Sequence, residues 1–223
     1  MNAPDNNEDG ERVTTPALGE RVVHLTTVHH PRDPRIVYKQ LVSLREAGFD
    51  THLIAPQDQR EEFRGVSIHP IGETKGRIDR LALQPRVWKV ARGLDADLYQ
   101  IHDPELIPLA YFLRKRTGSP VIYDMHENYV SKGGVVGRAI RALERWCFQW
   151  VDHVFLAEKS YASIVNGARV PHTLLENYFK PLDSPPESSH PEVSPSSGRP
   201  TNLVYTGTIS KRRGLETMID LAC

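Results

Sequence analysis

Histidine and carboxylate residues recur in this chain directly behind short apolar runs. His29, His30 and Asp33 follow RVVHLTT, His102 and Asp103 follow LYQI, and His126 with Glu127 follows VIYDM. An imidazole can hydrogen-bond a hydroxyl or exchange a proton near neutral pH, and a neighbouring carboxylate can orient it. If the runs ahead of these clusters are strands of one sheet, the clusters converge, because open α/β sheets bind ligands beyond the carboxyl ends of their strands. The same donors could instead hold a divalent metal for hydrolysis, and any one of them could be a structural hydrogen-bonding residue. Asp103, directly before Pro104, occupies the sequence position of a helix N-cap, and that role is the one expected for it. Arg35 in DPRI offers a guanidinium fork for phosphate or acceptor; the competing reading is a helix-start salt bridge between Asp33 and a nearby arginine.

The elements that must position these residues alternate along the chain. Strands are expected at Arg21 to Thr27, His52 to Ala55, Val66 to Ile71 (the last alternating as a more exposed strand), Leu98 to Ile101, Val121 to Tyr123, His153 to Ala157 and near Thr173 to Leu175. Helices are expected at Pro34 to Ala47, Arg77 to Gly93, Glu105 to Arg116, Val135 to Trp150 and from Ser160, with Pro85 breaking or kinking the second. Short apolar strands alternating with helices imply an α/β domain: a doubly wound, mostly parallel, Rossmann-like sheet with helices on both faces.

Composition sets the outer limits. The chain of 223 residues has formal net charge +0, so nothing requires a nucleic-acid partner. Its 2 cysteines form neither a disulfide framework nor a CxxC pair, which suits a reducing, cytoplasmic setting. Residues 1–19 read as a polar, disordered leader without the features of a signal peptide, and 20–180 as the Rossmann-like domain. Pro/Ser-rich residues 181–200 read as a linker, and 201–223 as the first strand and helix of a second, truncated Rossmann-like domain. No run is long and apolar enough for a spanning helix.

Four segments together carry a resemblance. HHPRDPRIVYKQLVSLREAGFDTHLIAP, IHDPELIPLA, YDMHENY and YTGTISKRRGLETMIDLA are similar, in this order, to family 4 glycosyltransferases of the GT-B fold. The resemblance implies retaining transfer from a nucleotide-sugar co-substrate to a polysaccharide or glycolipid acceptor, in a cleft between two Rossmann-like domains, with no cofactor and no catalytic metal. It places His126 near the transferred sugar, with Glu127 orienting it or bonding backbone amides. It gives the first domain the acceptor, so that His30, Asp33, Arg35, His102 and Asp103, placed behind the strands, become candidate substrate-binding residues, and it gives the region of Gly207, Lys211 and Arg213 the donor diphosphate. The chain departs from the family where DPRI replaces a glycine-rich loop, and where Thr208 stands in place of a frequent arginine. The family's acidic donor motif is expected beyond Cys223, so transfer is expected to need a complementing donor domain. A non-catalytic acceptor-binding or scaffold module is the alternative.

Two further features remain. Gly133, Gly134 and Gly137 imitate part of a dinucleotide fingerprint without a strand leading into them. On 135–150, Arg138, Arg141 and Arg145 share a face beside Ile140, Leu143, Trp146, Cys147 and Trp150; such a helix either packs on the sheet with its arginines in water or makes peripheral contact with the inner face of a membrane.

Overall fold

The structure is a computed structural model that describes residues 19–73, 76–126, 134–178 and Ile219. The chain divides into two compact units, Met1–Lys180 and Pro181–Cys223, and every element named below belongs to the first. The expected leader, the 181–200 linker and the strand and helix beyond it fall outside the described residues, as do Glu127, Gly207, Lys211 and Arg213.

Strand β1 (Arg21–Leu25) leads into helix α1, which begins as Pro34–Leu41 and continues as Val42–Glu46. Then come β2 (Asp50–Ala55), β3 (Glu61–Phe63), β4 (Val66–Pro70), α2 (Arg77–Leu94) and β5 (Leu98–Ile101). A 3₁₀ turn at Pro104–Leu106 precedes α3 (Pro108–Thr117) and β6 (Val121–Met125). The series ends with α4 (Gly134–Cys147), β7 (His153–Leu156), α5 (Ala162–Val165) and β8 (His172–Leu174).

The eight strands lie in one sheet in the order β3-β4-β2-β1-β5-β6-β7-β8, parallel throughout except for antiparallel β3 and β4. This is the doubly wound α/β architecture that the alternation implies. The order turns around at β1, which pairs with β2 on one side and β5 on the other. The crevice between β1 and β5 is therefore the switch point where such sheets admit ligands.

In β1 and β2 alternate residues face opposite ways and are buried on both sides. Val23, Leu25, Tyr99, Ile101, Val121 and Tyr123 pack beneath Val87 and Ala91 of α2, Leu109 and Leu113 of α3, and Cys147 of α4. On the other face Ile36, Val37 and Leu41 of α1 cover Leu53 and Ala55 of β2 and Val66 and Ile68 of β4. Each fully buried Leu or Ile contributes about 1.5–3 kcal/mol. The phenol of buried Tyr99 donates to Ala91 O and accepts from Ala96 N, both at 3.1 Å, so its polar end is satisfied.

Four local expectations change. α2 runs unbroken through Pro85, which lies exposed, where the carbonyl it leaves unbonded can turn to water. β4 is more buried than its alternation implies, because the unanticipated strand β3 pairs along its edge. The helix expected from Glu105 to Arg116 is split, with Pro108 opening α3 and Gly118, at φ 77°, closing it through an N–H bond to Arg114 O. Finally, the first turns of α1 are wound as a π-helix, with Val42 N–H bonded to Val37 O, five residues back.

Candidate active site

The carboxyl ends of β1, β5 and β6 bring together His29, His102, Asp103, Asp124 and His126. Asp103 does not cap the turn behind it: its side chain makes no hydrogen bond to that turn. Instead it reaches across to the end of β1, accepting from Thr26 Oγ1 (3.0 Å), Thr27 N and Thr27 Oγ1 (3.2 Å). The expected cap is thereby corrected. A buried carboxylate takes the richest set of donors within reach, and the strand-end amide and hydroxyls outnumber those of a three-residue turn. Asp33 is the residue that caps, accepting from Arg35 N (2.8 Å) and Ile36 N (3.0 Å).

Asp124 is the hub. It is fully buried in β6 and receives Arg35 as a fork, Nε to Oδ2 at 3.0 Å and Nη2 to Oδ1 at 2.7 Å. Gln40 Nε2 adds a third donor to Oδ2 at 2.9 Å, and Gln100 Nε2 holds the Gln40 amide from behind at 2.8 Å. In an α-helix, residues five apart fall on different faces. The i to i+5 winding of α1 brings Arg35 and Gln40 to the same carboxylate.

Burial alone would raise the Asp124 carboxyl, but the contacts and charges of His102 and Arg35 outweigh it and hold the group far below the usual carboxylate range. His102 Nδ1 stands 3.2 Å from Asp124 Oδ2, close but too poorly aimed for a good hydrogen bond, and its Nε2 lies 2.9 Å from His24 Nδ1. Burial and then His102 push His24 well below an ordinary histidine, which keeps it neutral.

His126 lies at the surface of this network. Its Nδ1 is 3.0 Å from Asp124 O, an atom that can only accept, so Nδ1 carries the proton and Nε2 presents a lone pair. That lone pair meets His29 Nε2 at 2.8 Å. His29 in turn approaches Asp33 through Nδ1 (3.3 Å) and Asp103 through Nε2 (3.5 Å). Burial, followed by the charge of His102, lowers His126, so it is neutral at pH 7. Burial would raise Asp33, yet hydrogen bonds from His29, Ile36 and Arg35 bring it down to about 2. A groove of about 250 Å³ opens beside His126, walled by Asp33, Pro34, Arg35, Ala157, Glu158 and Asn177. A larger hollow, about 590 Å³, lies against mainly apolar Val22, Leu44, Phe49, Leu98, Ile122 and Phe155; Gln40 and Gln100 reach its wall, and none of the histidines does.

Of the residues singled out in the sequence, Asp33, Arg35, His102, Asp103 and His126 thus fall in one network. His30 does not: it is exposed, its Nδ1 accepts from Arg32 N at 3.0 Å, and it lines a separate hollow with Pro31, Arg32 and Pro56. His29 takes the place expected of it. Arg35 is turned inward, held by Asp124 and by Leu175 O at 3.0 Å, and the alternative helix-start ion pair between Asp33 and an arginine does not form among the described residues, where His29 approaches Asp33 instead. Arg32 pairs with Glu61 of β3 and lies over the Phe63 ring at 3.8 Å, tying the loop after β1 to the edge hairpin. Asp124, Gln40 and His24 were not singled out, although an aspartate inside an apolar strand must find partners, and that was a readable signal.

His102, Asp124 and His126 offer three ligand atoms within 4.8 Å of one another. The donor set suits a metal poorly, because Asp124 is already neutralised by Arg35 and His126 Nε2 is engaged by His29.

Residues 16–175 match the model of a family described as glycosyl transferase 4-like domain. No curated protein sequence matches the chain. Among solved structures, the chain is similar to sucrose-phosphate synthase from Thermosynechococcus elongatus, with a TM-score of 0.60 and 10% identity over 70% of this chain and 48% of that one. It is similar also to Anabaena Alr3699/HepE in complex with UDP and glucose, with a TM-score of 0.50 and 11% identity over 72% and 45%. At such identities the likeness establishes the fold, and the chain spans about half the length of these proteins.

Proposed function

The chain belongs to the glycosyl transferase 4-like domain family, and on that premise we propose that it forms the acceptor-side half of a GT-B glycosyltransferase that uses a nucleotide-sugar donor. The observation that carries this reading is His126 at the wall of a groove formed at the carboxyl ends of β1, β6 and β7, fixed in one tautomer by Asp124 O. That HepE has been seen with UDP and glucose supports the donor class.

In this reading the acceptor lies on the His126 side, and a companion nucleotide-binding domain presents the donor. The bond from the anomeric carbon to phosphate oxygen breaks, the acceptor oxygen bonds that carbon on the same face, and the acceptor proton passes to the departing phosphate. Positive charge builds on the sugar as the bond opens. The neutral imidazole accepts a hydrogen bond from a sugar hydroxyl through Nε2, replacing His29, and orients the ring without adding like charge. Asp124 and its partners hold the imidazole still. No metal or cofactor is needed for these steps. Gly207, Lys211 and Arg213 are proposed to hold the donor diphosphate, and Glu127 to assist His126.

The test is transfer from UDP- and GDP-sugars to saccharide and lipid-linked acceptors, by the chain alone and with a nucleotide-binding domain of the same family added. The expected result is transfer on complementation only. Absence of transfer under both conditions, with acceptor binding retained, would establish a binding module instead.

A further inference from the structure

We propose that the outer surface of α2, α3 and α4 is a docking face for an anionic lipid bilayer. This inference rests on the surface alone and is independent of the transferase reading.

Five aromatic rings run across the three helices as a connected ladder. Trp88 of α2 meets Phe112 of α3 at 6.1 Å between centroids, and Phe112 meets Tyr111 at 5.3 Å. Tyr111 then meets Trp150 at 5.1 Å, and Trp150 meets Trp146 of α4 at 4.4 Å. This ladder is not wholly interior, since Phe112 is 52% and Trp146 59% exposed. Leu81, seven residues before Trp88 on the same helix face, is 58% exposed, and Val135 and Leu143 of α4 are 72% and 38% exposed. Five of the nine large apolar side chains exposed among the described residues thus sit on these three helices. Clustering on one side is what separates an interaction surface from scattered exposure.

Helix α4 shows the pattern most clearly. Its inward face carries Gly137, Glu144 and Cys147, with the Glu144 carboxylate accepting from Tyr123 Oη at 3.0 Å. Val135, Ala139, Ala142, Leu143 and Trp146 recur at helical spacing on the outward side, where a helix facing only water carries polar residues. Arg138 and Arg145 border that stripe, and neither forms an ion pair with a described residue.

Charge identifies the occupant. The three helices carry eleven Arg and Lys against two carboxylates, Asp79 and the buried Glu144, in a chain whose formal net charge is +0; Arg80 and Arg114 are paired with Glu105 and Asp152 beside the helices, and the other cations keep the balance basic. Lys115 lies over the Tyr111 ring at 5.7 Å, so cation and aromatic face occur together. Aromatic side chains mixed with cations match the interfacial zone of a bilayer, where rings sit at headgroup depth and basic groups meet anionic lipid. A nucleic acid would use the cations and leave Leu81, Val135 and Leu143 without a role. Among the described residues, no helix is long and apolar enough to cross a membrane, so contact would be along the surface.

The test is co-sedimentation of the chain with phosphatidylcholine vesicles, with and without about a third phosphatidylglycerol. Binding is expected only with the anionic lipid, and should weaken as salt shortens the Debye length. Trp146→Ala combined with Phe112→Ala should lower partitioning by about tenfold or more. Arg138→Glu combined with Arg145→Glu should lower it at least as much, each cation contributing roughly fivefold at such a surface. Melting by circular dichroism verifies that both variants are folded. Equal binding to neutral vesicles, unchanged binding by the folded variants, or no vesicle binding would overturn the proposal. Burial of Trp146 in a homodimer, or competition by RNA in place of lipid, would do so as well.

Discussion

Replacing Arg35 by methionine tests the site at its centre. Methionine keeps much of the apolar stem and removes the two N–H bonds that meet Asp124. The carboxylate has no exposed surface, so water cannot take over the lost contacts. Breaking a buried pair from one side costs about 3–5 kcal/mol, a large part of the roughly 5–15 kcal/mol that holds a domain folded. Gln40 and the nearby His102 remain, which places the expected loss at the lower end, about 3 kcal/mol. Adding Asp124→Asn to Arg35→Met removes the stranded charge and should recover about 2 kcal/mol of that loss. Acidity gives an independent sign. In the native chain Asp124 is depressed, so its contribution is full above the unfolded value of about 4 and is lost only as pH falls through the lower folded value. Without Arg35, His102 alone opposes burial and the Asp124 carboxyl rises from its depressed position, so the folded variant takes up its proton at a higher pH than the native chain and the deficit should shrink as pH falls through that higher value. Urea unfolding followed by tryptophan fluorescence measures both quantities. A loss below about 1 kcal/mol at neutral pH, or a deficit that does not shrink on acidification, would refute the buried-hub account.

Three further outcomes are expected. Asp33→Asn keeps the helix cap but removes a carboxylate held at about 2, so it should cost about 2 kcal/mol at neutral pH. Because a depressed group loses its contribution as pH falls from about 4 toward 2, thermal melts of the two proteins should converge in acid. His126→Ala, assayed with a complementing donor domain, should lower the transfer rate roughly 100-fold while shifting unfolding by no more than about 1 kcal/mol, since the ring is at the edge of the network. Gly118→Ala meets no atom within 4 Å but must hold φ at 77°, so it should cost about 1–2 kcal/mol, measured by urea titration.

The fold was legible because alternating apolar strands and helices leave few arrangements of a sheet, and the position of residues after strands pointed to the rim. The details that failed depend on contacts distant in sequence. Nothing in HHPRD shows that His29 rather than His30 faces inward; that follows from the approach of His126 and Asp103. Asp103 reads as a cap because its neighbours in sequence are a proline and a turn, whereas its partners Thr26 and Thr27 are more than seventy residues away. Arg35 looks free for a ligand until β6 places Asp124 beside it. β3 has only three residues and one partner strand, too little for a period-2 signal. Asp124 could have been found, because a lone carboxylate in VIYDM has to be compensated.

The π winding of α1 has a consequence for how relatives of this chain should be aligned. A turn closed over five residues holds one residue more than a turn closed over four, so the extra residue is absorbed inside the helix with no loop to accommodate it. A relative lacking one residue between positions 36 and 40 would rewind without disturbing the ends of the helix. It would keep both the guanidinium and the glutamine amide at the carboxylate, because the two would then stand four residues apart on one face of an α-helix, so a gap of one there predicts the same two donors.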